Sequence, residues 1–212
     1  EEVIYPMLSQ RMGFHYGGNF SLPADGTYAV DVSVGALPTN GVRTTGAFRD
    51  RFAEPATGTI DLAYTPETRA KVRSRDVEQG GDPGALAPME MDVPVGRAPE
   101  RSALPGEVVG TAESGNARFL VTLLDSSPAG IDGSGPYLAV SPRTPYNRLV
   151  VPGMRLSVTH VRGNRTLSST SLSRTLDPDL NYHYGTTLPA TESGDTLALQ
   201  VETPPQVARH EG

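Results

Sequence analysis

The fold of this chain is decided by a stretch that occurs twice, first as Phe14-His15-Tyr16-Gly17 and again as Tyr182-His183-Tyr184-Gly185. In each copy a glycine lies eleven residues after the histidine, and a strand-like run begins close behind it. These runs cover Tyr28–Val34 and Leu197–Glu202. An aromatic-His-Tyr-Gly sequence that recurs before a turn and a strand predicts two copies of one β module.

The two predicted modules are unequal in length. Only 14 residues precede the histidine of the first copy, so the first module is expected to be incomplete, or to have its missing strands outside this sequence. Residues 76–87 are polar, rich in glycine and without periodicity, which is typical of a linker. The predicted organisation is therefore a first module over 1–75, a linker over 76–87 and a second module over 88–212.

Further strands are predicted from alternating polarity and from short apolar runs with β-branched residues. They are expected at Gly58–Tyr64, Arg118–Leu124, Tyr137–Val140, Met154–Arg162 and Thr166–Leu172. Long helices are not expected among 23 glycines and 19 prolines, and Pro66–Val77 has a weak helical pattern. The expected fold is all-β, with two β-sandwich modules.

The composition excludes several classes of function. The chain has no cysteine, which rules out disulfides, thiolate metal sites and a cysteine nucleophile. Its net charge of −6 argues against nucleic acid as a partner, because phosphate binding requires clustered positive charge. It carries no P-loop, nucleophile elbow or HExxH motif, so the sequence does not predict an enzyme.

Methionine and histidine are the side chains left that could carry chemistry. Thioether and imidazole ligands together suit copper, whereas imidazole with carboxylate suits iron or zinc. The candidate metal ligands are Met7, Met12, His15, Met89, Met91, His183 and His210. If residues 89–91 form a strand, the sulfurs of Met89 and Met91 lie on the same face. Each candidate also has an ordinary structural interpretation, as core packing or as part of a turn.

Four longer phrases carry a resemblance to known proteins. The chain resembles a haloarchaeal lipoprotein family whose members are named iron transporters. It is also similar to the periplasmic copper-binding accessory proteins of iron transport, which have an immunoglobulin-like fold. The phrases are Tyr5–Gly17, Val95–Pro99, Tyr137–Arg148 and Val201–His210. The resemblance implies two immunoglobulin-like modules, the first one incomplete.

The resemblance also implies a ligand set, and this chain matches it in part. The periplasmic proteins bind metal through a methionine, the histidine of the repeated motif, a histidine after the last strand and a His-x-Glu pair. In the second copy His183 and His210 match, but the methionine position falls near Leu176. The first copy keeps Met7 and His15, with one extra residue between them.

Two functions from different classes follow. The first is an extracytoplasmic protein that binds copper or iron and supports metal uptake, lipid-anchored through a segment outside this sequence. Its first site would use Met7, Met12 and His15, and its second His183 and His210 with Met89 or Met91. Candidate partners are the metal ion, a membrane permease and a second copy of the chain. The alternative is a surface module for adhesion or protein contacts, in which His-Tyr-Gly is a structural turn.

Overall fold

A computed structural model describes most of the chain. The residues described are 5–9, 11–18, 22–71, 78, 80, 82, 90, 92, 96–115, 117–205 and 208–210. For Tyr5 and for residues 208–210 the description covers the backbone alone. Met89 and Met91 lie outside the described residues.

Strands dominate the described part of the chain, which confirms the predicted all-β fold. The single α-helix in this part is α1, Pro66–Arg69, at the start of the weak helical pattern, of which residues 72–77 lie outside the described residues. The strands are β1 Tyr5–Ser9, β2 Gly13–Gly17, β3 Gly26–Val34, β4 Arg43–Thr44, β5 Ala56–Tyr64, β6 Glu107–Ser114, β7 Ala117–Leu124, β8 Tyr137–Arg143, β9 Arg155–Arg162, β10 Arg165–Ser171, β11 Ser173–Asp177, β12 Asn181–Thr187, β13 Thr196–Thr203 and β14 Ala208–His210.

These strands form four sheets. The largest has six strands in the order β4-β11-β12-β8-β7-β6, and two three-stranded sheets have the orders β10-β9-β13 and β14-β1-β2. The fourth sheet is the two-stranded antiparallel pair β3-β5. The repeated His-Tyr-Gly residues lie within β2 and β12, directly after a turn, rather than in the turn itself.

The main hydrophobic core joins the six-stranded sheet to both three-stranded sheets. Val140 of β8 and Val158 of β9 are fully buried in it, and Leu8 of β1 is 4% exposed. Phe14 of β2 packs against the same cluster. Two packed layers with a shared apolar interior are the architecture of a β-sandwich. The immunoglobulin-like topology stays a prediction.

A second, smaller cluster covers the opposite face of the six-stranded sheet. Tyr137 and Ala139 of β8 alternate with the core residues of that strand and pack against Leu104 and Leu180. This alternation follows from the period of two in a strand. Because β8 is buried on both faces, every one of its residues is buried.

Strand pairing connects residues from both sides of the predicted linker. β4 pairs in parallel with β11 in the six-stranded sheet, and β1 pairs in parallel with β14. The pair β3-β5, in contrast, bonds to no other strand in the described part of the chain. The predicted domain boundaries stay a prediction.

Candidate metal centre

The two copies of the repeat fold into hairpins with the same register. In the hairpin β1-β2, Met7 lies opposite His15, and in the hairpin β11-β12, Thr175 lies opposite His183. The spacing between the opposed residues is therefore the same in both copies. The resemblance placed the methionine position of the second copy near Leu176, which is one residue after Thr175. It therefore counted one extra residue between Met7 and His15 in the first copy, and the strand register removes this difference.

The turns of the two hairpins are built alike. Each ends at a residue with a left-handed backbone, Gly13 at φ 66° and Asn181 at φ 57°. These are residue types that tolerate this conformation. At the start of each turn a side-chain oxygen, from Ser9 or Asp177, accepts the backbone N–H three residues on. The sequences of the turns differ, so this likeness is visible only in the structure.

The aromatic residues that flank each histidine also correspond. Phe14 and Tyr16 meet edge to face with ring centroids 5.6 Å apart, and Tyr182 and Tyr184 do the same at 5.6 Å. In the second copy a further hydrogen bond holds the Tyr184 side chain in place, because its hydroxyl oxygen accepts the backbone N–H of Met154 at 2.8 Å. Tyr16, by comparison, is exposed.

Both histidines are held by the same local hydrogen bond. The Nδ1 of His15 lies 3.1 Å from the carbonyl oxygen of Gly13, and the Nδ1 of His183 lies 2.9 Å from that of Asn181. Since a carbonyl can only accept, each Nδ1 must donate its proton. In the neutral ring the lone pair is then on Nε2, which is the nitrogen available to a metal ion or a hydrogen-bond donor.

In the second copy this nitrogen is sealed inside the protein. His183 is fully buried, and its Nε2 lies 3.0 Å from the hydroxyl of Tyr137, which donates to it. Gly185 makes room for this hydroxyl, because a Cβ there would lie 2.0 Å from it. Burial lowers the pKa of His183 to about 4, against a smaller opposing effect of the bond to Asn181. His183 is thus a neutral, fully bonded residue of the fold.

In the first copy the same nitrogen lies near a sulfur, in two residues that are not fully buried. His15 and Met7 are both half-buried. A Cβ at Gly17 would lie 3.4 Å from His15 Nε2 and 3.7 Å from Met7 Sδ, so both atoms border the same space. Among the described residues, His15 Nε2 has no hydrogen-bond partner comparable to Tyr137. A thioether and an imidazole lone pair are therefore neighbours here.

The backbone of His210 belongs to the same sheet as this pair. Strand β14 runs parallel to β1, with Ala208 in register with Met7 and His210 in register with Ser9. Adjacent strands lie about 4.8 Å apart. The sequence had grouped His210 with His183, but the structure places the strand of His210 beside the first copy of the repeat.

The remaining candidates are dispersed. Met12 lies in the turn between β1 and β2 and is 40% exposed. His183 is in the six-stranded sheet, where it faces away from the main core toward Tyr137. Met89 and Met91 are outside the described residues. Among the described residues no group of three or more His, Asp or Glu side chains could hold a metal ion.

A further buried histidine, His160, has a structural explanation. Its Nε2 lies 2.8 Å from Asp195 Oδ2, and Arg162 Nε donates to Asp195 Oδ1 at 2.8 Å. The Arg162 guanidinium holds the pKa of Asp195 well below its usual range. These contacts connect β9 to the turn before β13, so the cluster stabilises that end of the sheet.

Residues 102–212 match a family described as a domain of unknown function, DUF7350. The chain belongs to the DUF7350 family. The matched segment begins just before β6 and contains both His183 and His210, whereas Met7 and His15 precede it. No curated protein matches the chain, and no solved structure matches it.

The DUF7350 segment is thus joined to the first copy of the repeat by contacts that lie outside the family match. Leu8 and Phe14 enter its core, and β1 extends the sheet of its last strand, β14. In the described part of the chain, no helix is both long and apolar enough to cross a membrane.

Proposed function

We propose that this chain binds a copper ion at the β1-β2 hairpin, with Met7 and His15 as ligands. The observation that carries the proposal is the shared space above Gly17, which both Met7 Sδ and His15 Nε2 border. The resemblance to copper-binding accessory proteins adds an extracytoplasmic role in metal uptake, which is part of the same proposal.

The choice of copper rests on the chemistry of the two ligands. A thioether is a soft ligand and suits copper, while imidazole binds copper, iron and zinc alike. Because Gly13 accepts the proton of Nδ1, the His15 ring presents a lone pair at Nε2 without having to change its tautomer. Iron is the alternative metal, and imidazole with carboxylate suits it better than imidazole with a thioether.

The second copy supports the proposal by contrast. There the residue opposite the histidine is Thr175, whose hydroxyl accepts a hydrogen bond from Arg43 at 3.2 Å. The histidine itself is closed by the hydroxyl of Tyr137. The two hairpins share one scaffold, but the histidine is sealed in the second copy, whereas in the first copy it lies beside a thioether and is only half-buried.

The alternative function, a surface module for protein contacts, is favoured by a different observation. The ribbon β3-β5 exposes large apolar side chains, among them Val34 and Ile60. Contiguous apolar surface of this kind marks interaction sites. This role is compatible with metal binding at the hairpin, because the two surfaces are in different sheets.

The test is calorimetric titration of the whole chain with Cu(I), Cu(II) and Fe(II). We expect the tightest binding for copper. We expect Met7→Leu and His15→Asn each to weaken copper binding by at least about tenfold, because losing even a residue that only supports a metal ligand costs about that much. The matched control is Met154→Leu, since Met154 is buried in the main core and the exchange conserves volume.

Two results would contradict the proposal. One is the absence of copper binding by the intact chain. The other is unchanged copper affinity in the double variant Met7→Leu with His15→Asn, which would place any binding elsewhere. The variant His210→Asn tests His210 separately, because the backbone of its strand β14 pairs with β1.

A further inference from the structure

The ribbon β3-β5 has two faces of opposite character. Both strands are nine residues long, and the centre of the ribbon pairs Val30 with Ile60. The apolar face, here called the ribbon face, consists of Tyr28, Val30, Val32, Val34, Ala56, Gly58, Ile60, Leu62 and Tyr64. The opposite face consists of Thr27, Ala29, Asp31, Ser33, Thr57, Thr59, Asp61 and Ala63.

The ribbon face is open to solvent along its middle and at one end. Ile60 is 60% exposed, Val34 58% and Val32 42%. The strands bond to each other and to no further strand in the described part of the chain. A two-stranded ribbon is at best marginally stable in water unless a hydrophobic face is covered. The amphipathic pattern therefore calls for a partner surface.

We propose that the ribbon face packs against the same face of a second copy of this chain, about a two-fold axis near Val30 and Ile60. The face carries no formal charge at any position, so an isologous contact sets apolar side chains against apolar side chains without like-charge repulsion. Face-to-face packing of two ribbons forms a small four-stranded sandwich with a dry interior.

The rest of the described surface offers no comparable complement. The other large exposed apolar side chains in this part are spread over several elements, and they are Met12, Tyr16, Phe52, Val109, Tyr146 and Val201. A head-to-tail contact would need a second apolar patch of matching size on the same molecule. Among the residues that the structure describes, the surface that matches the ribbon face in length and polarity is the ribbon face itself.

The area sets the expected strength. The ribbon face has nine residues, whereas each side of a standard protein–protein interface has about 20–30. A stable complex buries about 800 Å² per partner, so the dimer belongs to the weak class. We expect a dissociation constant in the micromolar range, with monomers at nanomolar concentration and dimers at high micromolar concentration.

The experiment is sedimentation velocity of the whole chain over a concentration series. We expect wild type to shift from monomer to dimer, Ile60→Lys to remain a monomer throughout, and Thr59→Lys to behave as wild type. The two positions are adjacent on one strand but on opposite faces, so Thr59→Lys is the matched control. Circular dichroism of each variant verifies that the strands are retained.

A second measurement uses the absence of cysteine from the chain. Under mild oxidation Ile60→Cys should form a disulfide-linked dimer rapidly, because it lies near the proposed axis, whereas Thr59→Cys should not. Wild type that stays monomeric at every concentration, or equal cross-linking of the two variants, would overturn the proposal. A monomer whose ribbon face binds another protein or a lipid surface would overturn it equally.

Discussion

The hairpins β1-β2 and β11-β12 have the same register, the same kind of turn and the same histidine hydrogen bond, but different surroundings. Tyr137 reaches the histidine of β12 from the neighbouring strand β8. In the sheet β14-β1-β2, strand β2 is at the edge, with β1 on its other side. The histidine in the middle of the six-stranded sheet is sealed by its neighbours, whereas the one on the edge strand β2 is only half-buried.

The largest expected difference between the hairpins is the loss of stability when the glycine of the repeat is replaced by alanine. Gly185→Ala should lower the free energy of unfolding by about 3 kcal/mol, because its Cβ would lie 2.0 Å from the hydroxyl of the buried Tyr137. Gly17→Ala should cost less than about 1 kcal/mol, because its nearest neighbour is His15 Cδ2 at 3.3 Å. Urea denaturation measures both. Equal losses would mean that the two hairpins are not packed as differently as their contacts indicate.

The pH dependence of stability is the next effect. Burial lowers the pKa of His183 to about 4 from an unfolded value near 6.5, so the unfolded chain binds a proton first as the pH falls. The contribution of neutral His183 to the free energy of unfolding is fully present above pH 6.5. It is lost progressively as the pH falls toward 4, at up to about 1.4 kcal/mol per pH unit. An NMR titration should show the His183 ring still neutral at pH 5. A midpoint near 6.5 would contradict its burial.

The smallest of the three effects is the loss of one hydroxyl. Tyr137→Phe leaves His183 Nε2 buried without a donor and should cost roughly 1–2 kcal/mol. Tyr16→Phe, in the exposed first hairpin, should change stability by less than about 0.5 kcal/mol. Thermal unfolding of both variants makes the comparison. If Tyr137→Phe were neutral, the hydroxyl would not be what closes the second copy.

Much of the strand content could be predicted from the sequence, because alternating polarity survives wherever a strand has one buried face. The prediction at Tyr137–Val140 was right but short, since β8 continues through Ser141 to Arg143 as a strand buried on both faces. β4 was not predicted, because it has two residues and its partner β11 is far along the chain. β1 was not predicted either, although one of its partners, β2, is its neighbour in a hairpin.

The candidate site was predictable in its residues but not in its grouping. The repeat identified His15 and His183 as equivalent, and the hairpin registers agree. That His210 pairs with the sheet of the first copy depends on a long-range parallel contact that no local pattern reveals. The role of Tyr137 was equally hidden, since a tyrosine in a strand gives no sign of which side chain its hydroxyl meets.

The short strand β4 has a consequence for how the six-stranded sheet meets its surroundings. Strand β4 pairs with β11, with Arg43 and Thr44 in register with Thr175 and Leu176. The strand edge on the outer side of β11 is therefore covered by β4. Free strand edges are templates on which other chains can assemble. Since β4 precedes the DUF7350 segment, a fragment limited to residues 102–212 would leave that edge open. The first part of the chain therefore covers one strand edge of the family domain that follows it.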